Sequence, residues 1–357
     1  MGTTSRLLAL GLAALLVGCT APSGPSGPVP GSTSVTAPAT PGATALPDGE
    51  ATPDATATPD GEAIPDPAAT SAGGPADAAS SPTKVLLLME ENTQVGEVLG
   101  AGRTPYLEGV VGQAARVTDM QAGYPTLCPS LPAYLLLTSG STHGVCNSDG
   151  PGALQVEAPN LFEEVATSGR EWRVYAEGMR TTCQRQDSDD GRYAVRHTAA
   201  PYYPSEAERC ERWQVPLGDT EGGALRDGLA SGLPAFSLVV PDLCHDMHGG
   251  DACTGERVEE GDAWLSRWLP RILGSTDYRS GDLLVVLTWD EGSPLSNDIA
   301  TLVFHPALAG TTVDRPTDHC DTLRTMSEVL DVPALGCAAQ AVGLVEAEDL
   351  GLDLDRR

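Results

Sequence analysis

The chain has little positive charge, and lysine is almost missing from it. Lys84 is the only lysine, and lysine and arginine together number 21 against 49 acidic residues, for a formal net charge of −28. No nucleic-acid partner is expected, because phosphate backbones bind to basic surfaces. The same charge disfavours adhesion to anionic lipid. A catalytic lysine is excluded from the folded part unless Lys84 itself serves.

Long apolar runs are also missing, with one exception at the start of the chain. Residues 7–17 are apolar but too short to span a bilayer, and Arg6 precedes them. This run ends in Leu16-Val17-Gly18-Cys19, which resembles a bacterial lipobox. We therefore expect a signal peptide over residues 1–18, lipidation of Cys19, and an anchor on the outer face of the cytoplasmic membrane. The alternative is an ordinary secretory signal with a chance cysteine, and a secreted protein.

Aromatic residues are absent from residues 20–82, which consist mainly of Pro, Ala, Thr, Ser, Gly and Asp. Such a segment cannot bury enough apolar surface to offset its ordering entropy. We interpret residues 19–83 as the lipidated cysteine and a disordered tether; a glycosylated, mucin-like stalk is the alternative. Residues 84–342 are long enough for one domain with a sizeable core. Residues 343–357 are predicted to be an acidic tail.

Cys-x-x-Cys pairs are absent as well, which disfavours a zinc–thiolate cluster. Apart from Cys19 the chain has eight cysteines, and an even number in an exported chain most simply indicates four disulfides. Pairing between nearest neighbours is the simplest hypothesis, although spacing alone leaves other pairings open. The eight are Cys128, Cys146, Cys183, Cys210, Cys244, Cys253, Cys320 and Cys337.

Short apolar runs alternate with helical patterns through the predicted domain. Strands are predicted over residues 85–89, 116–120, 172–176, 235–240, 283–289 and 299–304. Helices are predicted over residues 104–114, 160–168, 217–231, 259–273 and 322–330. This alternation predicts an α/β fold with a mostly parallel sheet covered on both faces. Residues 180–213 are irregular and polar, which favours a disulfide-pinned lid or insertion.

Ser130 stands between two prolines at the start of a helical stretch, in Cys128-Pro129-Ser130-Leu131-Pro132. The start of a helix presents unpaired N–H groups and the positive end of the helix dipole. A hydroxyl held there suits a nucleophile that attacks an anionic centre. The alternative role is a helix N-cap, which is serine's commonest role at such a junction.

Carboxylates, amides and imidazoles follow the predicted strands and precede the last predicted helix. These candidate ligands are Glu91, Asn92, Asp246, His248, Asp290, Glu291 and His319. Their oxygen and nitrogen atoms suit Zn²⁺, Mn²⁺, Mg²⁺ or Ca²⁺. Phosphoryl transfer needs such a cation, a nucleophile and donors that orient the phosphate, and Asn92 and Asn147 are candidate donors. Alternatively, Asp290 and Glu291 are a solvated strand end, and Asp246, His248 and His319 are surface groups beside cysteines.

Six motifs in one order carry a family resemblance. They are Leu86-Leu87-Leu88-Met89-Glu90-Glu91-Asn92, Pro129-Ser130-Leu131-Pro132-Ala133-Tyr134, Leu137-Thr138-Ser139-Gly140, Asp246-Met247-His248, Gly261-Asp262-Ala263-Trp264-Leu265 and Thr288-Trp289-Asp290-Glu291. The set resembles the bacterial phosphoesterase family that holds acid phosphatases and phospholipases C, within the alkaline-phosphatase-like superfamily. The likeness covers nearly the whole predicted domain.

The resemblance implies a three-layer α/β/α fold and a phosphoserine intermediate at Ser130. It implies one or two divalent metal ions, held by Glu91, Asn92, Ser130, Asp290 and Glu291. Asp246, His248 and His319 match positions that would serve a further metal or the phosphate. The chain departs from the family at Cys128, where relatives have histidine, and at Ala133, where they have asparagine.

We therefore expect an exported, metal-dependent phosphomonoesterase that acts on a phosphate ester. A phospholipase C-like phosphodiesterase is the first alternative, and a catalytically degenerate surface binding lipoprotein is the second. Asp262 is predicted to cap the helix over 259–273. Of the other histidines, His245 and His305 are predicted to be surface or structural residues, whereas His143 and His197 have no clear assignment.

Overall fold

The computed structural model describes residues 81–125, 127–293, 296–345 and 352. The predictions for residues 1–18, for Cys19 and for the tether up to residue 80 lie outside these residues. No helix within the described ranges is long and apolar enough to cross a membrane.

The strands form a single sheet in the described part of the chain. They are β1 Lys84–Glu90, β2 Ala115–Gln121, β3 Trp172–Ala176, β4 Gln214–Pro216, β5 Phe236–Val240, β6 Leu283–Trp289, β7 Thr301–Phe304 and β8 Thr312–Asp318. Their order across the sheet is β4-β3-β5-β1-β6-β7-β2-β8. Only β7 runs antiparallel to its neighbours, β6 and β2, so the mostly parallel sheet is confirmed.

The α-helices are α1 Val95–Val98, α2 Pro105–Val110, α3 Leu131–Ser139, α4 Leu161–Thr167, α5 Ala207–Trp213, α6 Ala224–Ser231, α7 Arg257–Leu273, α8 Thr276–Arg279 and α9 His319–Leu330. Short 3₁₀ helices cover Val111–Gln113, Val195–His197, Ala200–Tyr202, Pro204–Glu206 and Gly336–Ala339. Two groups of neighbouring helices result, since α3 contacts α4 and α9 while α7 contacts α2 and α8. This is the three-layer α/β/α class.

The three central strands β5, β1 and β6 are the most apolar part of the sheet. Every residue of β5 and β6 is buried, and so is every residue of β1 after Lys84. Strands covered by helices on both faces have no solvent side, so their sequences are continuous apolar runs. Glu90, the last residue of β1, is also fully buried. The polar residues at the ends of the central strands therefore lie together at one buried edge of the sheet.

Two strands and one helix boundary differ from prediction. β4 has only three residues, and β8 is a polar strand at the sheet edge whose burial alternates, so neither gives an apolar run. The helix predicted over 217–231 begins only at Ala224, because Gly218 and Gly223 have φ values of 88° and 119°. A Cβ at Gly223 would lie 2.5 Å from the Gly218 Cα. The backbone of this tight turn is not helical, so the helix cannot begin before it.

The packed region extends past the predicted boundary at residue 342. Leu344, Val345 and Leu352 are buried, and the Leu344 N–H donates to Thr325 Oγ1 at 2.6 Å. Part of the predicted acidic tail therefore belongs to the domain. The rest of that tail lies outside the described residues.

Four disulfides join nearest neighbours in sequence, as the simplest hypothesis predicts. The pairs are Cys128–Cys146, Cys183–Cys210, Cys244–Cys253 and Cys320–Cys337. All eight thiols are thus consumed, and the zinc–thiolate alternative is wrong.

Candidate active site

The site lies at the carboxyl edge of the three central strands. Glu91 follows β1, Asp246 follows β5 and Asp290 follows β6. The Glu91 N–H donates to the Asp246 carbonyl at 2.7 Å, and the Asp290 N–H donates to the Glu90 carbonyl at 3.0 Å. Carboxyl ends of parallel strands meet at one sheet edge, where α/β proteins place their ligands. The predicted acidic strand ends are therefore brought together.

Ser130 is buried at this edge and bonds to Glu91. Its Oγ–H donates to Glu91 Oε2 at 2.9 Å, while the Tyr134 hydroxyl donates to Glu91 Oε1 at 2.5 Å. Ser130 does precede α3, but its side chain makes no capping hydrogen bond, so capping is not what the hydroxyl does. Tyr134 lies one helical turn after Ser130, and sequence reasoning missed its contact with Glu91. The spacing of four residues places Ser130 and Tyr134 on one face of the helix, and this spacing could have revealed the contact.

Asn92 and Glu291 join the ends of β1 and β6. The Asn92 N–H donates to Asp290 Oδ1 at 2.9 Å, and Asn92 Nδ2 donates to Glu291 Oε1 at 2.5 Å. The Tyr124 hydroxyl donates to the other oxygen, Glu291 Oε2, at 3.1 Å. Glu291 is half-buried and hydrogen-bonded at both oxygens, so the solvated-strand-end alternative does not describe it.

His197 lies inside the site, although no role could be assigned to it from the sequence. Its Nε2 is 3.4 Å from Glu91 Oε2 and its Nδ1 is 3.4 Å from Asp246 Oδ2. The ring stacks on Tyr134 at a centroid distance of 5.7 Å. His197 belongs to the segment predicted as a lid, which the Cys183–Cys210 disulfide pins. The segment therefore supplies a buried site residue, and a lone histidine in an irregular stretch gave little signal.

The remaining predicted site residues differ in their surroundings. His319 is fully buried, and its Nε2 lies 2.8 Å from the Asp290 carbonyl oxygen. His248 lies beside His197 at a ring distance of 5.7 Å, and its Nδ1 contacts the Gly249 carbonyl at 2.6 Å. Asn147 is exposed, and its Oδ1 accepts from the Asp149 N–H in a local turn. Asn147 thus makes no hydrogen bond to the site among the described residues, and its role stays a prediction.

A second cluster next to the site is an ion-pair network. His245 Nδ1 lies 2.9 Å from Glu177 Oε2, and Arg192 Nε donates to Asp242 Oδ2 at 2.6 Å. Glu177, Asp242 and His245 are close enough to hold a cation, yet Arg192 already neutralises Asp242. Burial lowers the pKa of His245, but the Glu177 and Asp242 carboxylates outweigh burial and leave it raised. His245 is therefore structural.

Other polar groups also have structural contacts. His143 Nε2 lies 2.8 Å from Ser139 Oγ, and His305 Nε2 lies 3.0 Å from the Gly281 carbonyl oxygen. The prediction for Asp262 was wrong. It lies inside α7, and its carboxylate accepts from the N–H groups of Tyr106 and Leu107. Asp262 therefore caps the start of α2, a helix far away in sequence, which no local pattern could reveal.

Unpaired buried atoms test whether the site fits a metal ion. Five such atoms belong to candidate ligands in the described residues: Asn92 Oδ1, His197 Nε2, Asp246 Oδ2, Asp290 Oδ2 and His319 Nδ1. Buried polar atoms without a partner are rare, since each costs about 1–3 kcal/mol. Glu91, His197 and Asp246 also place one ligand atom each within 4.8 Å of the others. The donor set therefore fits a divalent cation.

The pKa values of the site residues also indicate that the site fits a divalent cation. Burial raises the pKa of Glu91 and of Asp246 well above their ordinary values, and the neighbouring Asp290 carboxylate adds to this. Burial together with Asp290 raises the pKa of Glu291 to about 7. A cation among these carboxylates would lower their pKa values, because it stabilises the ionised forms. Burial also lowers the pKa of His319 to about 4, which leaves the neutral imidazole that metal ions bind.

A buried serine, carboxylates and histidines thus lie together at one edge of an α/β/α fold, and these are groups that hydrolysis of a phosphate ester can use. Residues 112–333 match the sequence model described as the Phosphoesterase family. This chain belongs to that family. It is accordingly a hydrolase acting on phosphoric ester bonds.

One sequence relative and one solved structure are similar to this chain. The chain is 27% identical over 274 residues to a phosphatidylinositol-3-phosphatase of Mycobacterium tuberculosis, which covers 74% of this chain and 83% of the relative. It also resembles the solved structure of a protein in the alkaline phosphatase superfamily from Vibrio parahaemolyticus. That match has a TM-score of 0.53 at 12% identity and covers 75% of this chain and 70% of the other. The structural likeness shows the fold.

The Cys128–Cys146 disulfide holds the loop that carries Ser130. Cys128 is two residues before Ser130 and nearly buried, whereas Cys146 is exposed. We predict that replacing both by serine lowers the free energy of unfolding by about 3 kcal/mol, since the closed loop is short. We also expect a lower kcat, because Ser130 loses its covalent restraint. Thermal unfolding and steady-state kinetics check this; an unchanged kcat would show that the disulfide only adds stability.

Proposed function

We propose that this chain is an exported, metal-dependent phosphomonoesterase in which Ser130 is transiently phosphorylated. The observation that carries the proposal is the buried Ser130 hydroxyl, 2.9 Å from Glu91 Oε2, among ligand atoms that lack partners. A serine hydroxyl is inert at neutral pH unless a base or a cation activates it. In this proposal Glu91 acts as the base and a bound cation supplies positive charge, both at the same Ser130 oxygen.

The metal ligands in this proposal are residues of the central strand ends. Glu91, Asn92, Ser130, Asp290 and Glu291 would hold one ion, and Asp246, His197, His248 and His319 would hold a further ion or contact the phosphate. When bound, a divalent cation supplies positive charge that neutralises phosphoryl oxygens and favours ionisation of the serine hydroxyl. The identity of the ion is open among Zn²⁺, Mn²⁺, Mg²⁺ and Ca²⁺ by donor type.

The chain's own residues then perform two displacements. Glu91 accepts the hydrogen bond of Ser130 Oγ–H and so directs an oxygen lone pair away from itself, toward the substrate phosphorus. As the Ser130 oxygen bonds to phosphorus, its O–H proton passes to Glu91 and the bond from phosphorus to the leaving alcohol breaks. The same proton then passes on to the oxygen of the leaving alcohol. Water then attacks the phosphoserine, which releases inorganic phosphate and restores the Ser130 hydroxyl. The buried, neutral His197 lies beside Glu91 and can take part in moving these protons.

Export and anchoring belong to the same proposal. The lipobox-like Leu16-Val17-Gly18-Cys19 supports a lipoprotein at the outer face of the cytoplasmic membrane. Four disulfides support an oxidising compartment outside the cytoplasm. Residues 19–83 would then be the tether between the anchor and the domain.

A comparison of mono- and diesters tests the substrate class. The mycobacterial relative is named a phosphatidylinositol-3-phosphatase, which supports a monoester as the substrate. We expect phenyl phosphate to be hydrolysed at least about tenfold faster than bis-phenyl phosphate, which is a difference of about 1.4 kcal/mol in activation free energy. The measurement is kcat/KM for both esters with the metal-supplemented protein. Faster cleavage of the diester would instead favour the phospholipase C-like alternative.

A further inference from the structure

Two loops of the site have unfavourable backbone conformations. Asn92 has φ of 40° and Met247 has φ of 68°, and neither is a glycine. The left-handed region costs L-residues about 1–3 kcal/mol, and such strain persists only where the surroundings enforce it. Asn92 is a candidate ligand itself, and Met247 lies between Asp246 and His248. Something must therefore hold both loops in place.

The Arg257 guanidinium contacts both strained residues. Arg257 Nη1 donates to the Asn92 carbonyl at 3.2 Å and to the Met247 carbonyl at 2.6 Å. The same nitrogen contacts Thr93 Oγ1 at 2.5 Å, while Nη2 donates to Glu97 Oε2 at 3.1 Å. One side chain thus joins the loop after β1 to the loop after β5. The terminal nitrogen Nη1, which carries two N–H donors, thus reaches both loop carbonyls, while Nη2 is held by Glu97.

The helix that carries Arg257 reinforces the same contact. Arg257 is the first residue of α7, and Gly261 lies one turn further on. A Cβ at Gly261 would lie 2.4 Å from Met247 Cγ, so α7 approaches this loop as closely as a glycine permits. The buried Met247 side chain is therefore held by α7, and its carbonyl is held by Arg257.

We propose that Arg257 is a positioning residue that holds Asn92 and the Asp246–His248 loop in their ligand geometry. This rests on the proposed function, because it assigns Arg257 to the same site. Within the described ranges Arg257 makes no hydrogen bond or ion pair with Ser130 or with a predicted ligand side chain, although its charge acts on His248. It acts through the Asn92 and Met247 backbones. Without it, both loops can relax toward ordinary φ values, and the ligand atoms they carry move apart.

Arg103 is a matched control for the charge of Arg257. It also pairs with Glu97, at 3.8 Å, and it bonds to Glu259 of α7 at 3.0 Å. Both arginines are about one-third exposed, at 32% of the side chain. Arg103 makes no hydrogen bond or ion pair with Asn92 or Met247 among the described residues. A comparison of Arg257→Ala with Arg103→Ala therefore separates loop positioning from the loss of a surface charge.

The experiment measures Mn²⁺ affinity and kinetics of both variants in the full-length folded protein. We expect Arg257→Ala to weaken Mn²⁺ binding and to lower kcat for phenyl phosphate by about 10- to 100-fold, the usual cost of removing support from a metal ligand. KM should change much less, and Arg103→Ala should stay near wild type. Millimolar guanidinium should partly restore kcat in Arg257→Ala only.

Equal effects of the two alanine variants, or unchanged Mn²⁺ affinity in Arg257→Ala, would overturn the proposal. If Arg257→Ala does not fold, Arg257→Met replaces it, because methionine keeps an unbranched apolar stem but has no N–H donor. A wild-type Mn²⁺ affinity in that variant would refute the positioning role. A wild-type protein without phosphatase activity would refute the proposed function, whereas the Mn²⁺ comparison would still decide the role of Arg257.

Discussion

Replacing Ser130 with alanine is expected to lower kcat for a phenyl phosphate by at least about 10³-fold, because the attacking atom is removed. The fold should survive, since the substitution removes only a hydroxyl that donates to Glu91 at the edge of the sheet. Steady-state kinetics in metal-supplemented buffer measure the loss. Circular dichroism confirms that the variant is folded.

Ser139→Ala is the matched control for this substitution. Ser139 lies in the same helix and is also buried, and its hydroxyl donates to the Leu135 carbonyl at 2.8 Å. Ser139 Oγ also lies 2.8 Å from His143 Nε2, so its loss should cost about 1–3 kcal/mol of stability. We expect kcat to remain near wild type. Full activity in Ser130→Ala would exclude the serine as nucleophile.

Removing the metal is expected to abolish turnover to a similar extent, by about 10³-fold. The missing cation charge is worth several kcal/mol of transition-state stabilisation. Dialysis against a chelator followed by elemental analysis establishes the metal-free state, and added Zn²⁺ or Mn²⁺ should restore activity. Undiminished turnover in protein shown to be metal-free would contradict metal dependence.

The stability of the metal-free protein should depend on pH in a defined direction. The pKa of Glu291 is raised to about 7 in the folded protein, above the value of about 4.3 for an unfolded glutamate. The folded state then binds more protons over this interval, so stability falls as pH rises through it. A bound cation favours the ionised carboxylates and opposes this fall. The difference in Tm between metal-loaded and metal-free protein should therefore widen from about pH 4.3 to about pH 7.

The fold could be predicted largely from local patterns. The apolar runs of β1, β5 and β6 identify a buried parallel sheet because nothing polar is tolerated on either face. β4 and β8 escaped prediction because edge strands lack that constraint. The turn at Gly218 and Gly223 shortened a predicted helix, since their positive φ values excluded helical backbone.

The site could be predicted where its residues lie at strand ends or at the starts of helices. Glu91, Asp246 and Asp290 follow central strands, so topology brings them together. His197 comes from an irregular segment whose path depends on the Cys183–Cys210 disulfide, and Arg257 acts through backbone carbonyls that no motif records. Long-range contacts of this kind leave no periodic signal in sequence. The same holds for Asp262, which caps α2 from inside α7.

The phosphorylated serine is the central claim, and acid-quenched turnover tests it most directly. The protein is mixed with phenyl phosphate, quenched in acid during turnover, digested, and examined by mass spectrometry. The account predicts one added phosphoryl group on the peptide that contains Ser130, and none in Ser130→Ala. Sustained turnover with an unmodified Ser130 peptide, or with the phosphoryl group on another residue, would contradict it.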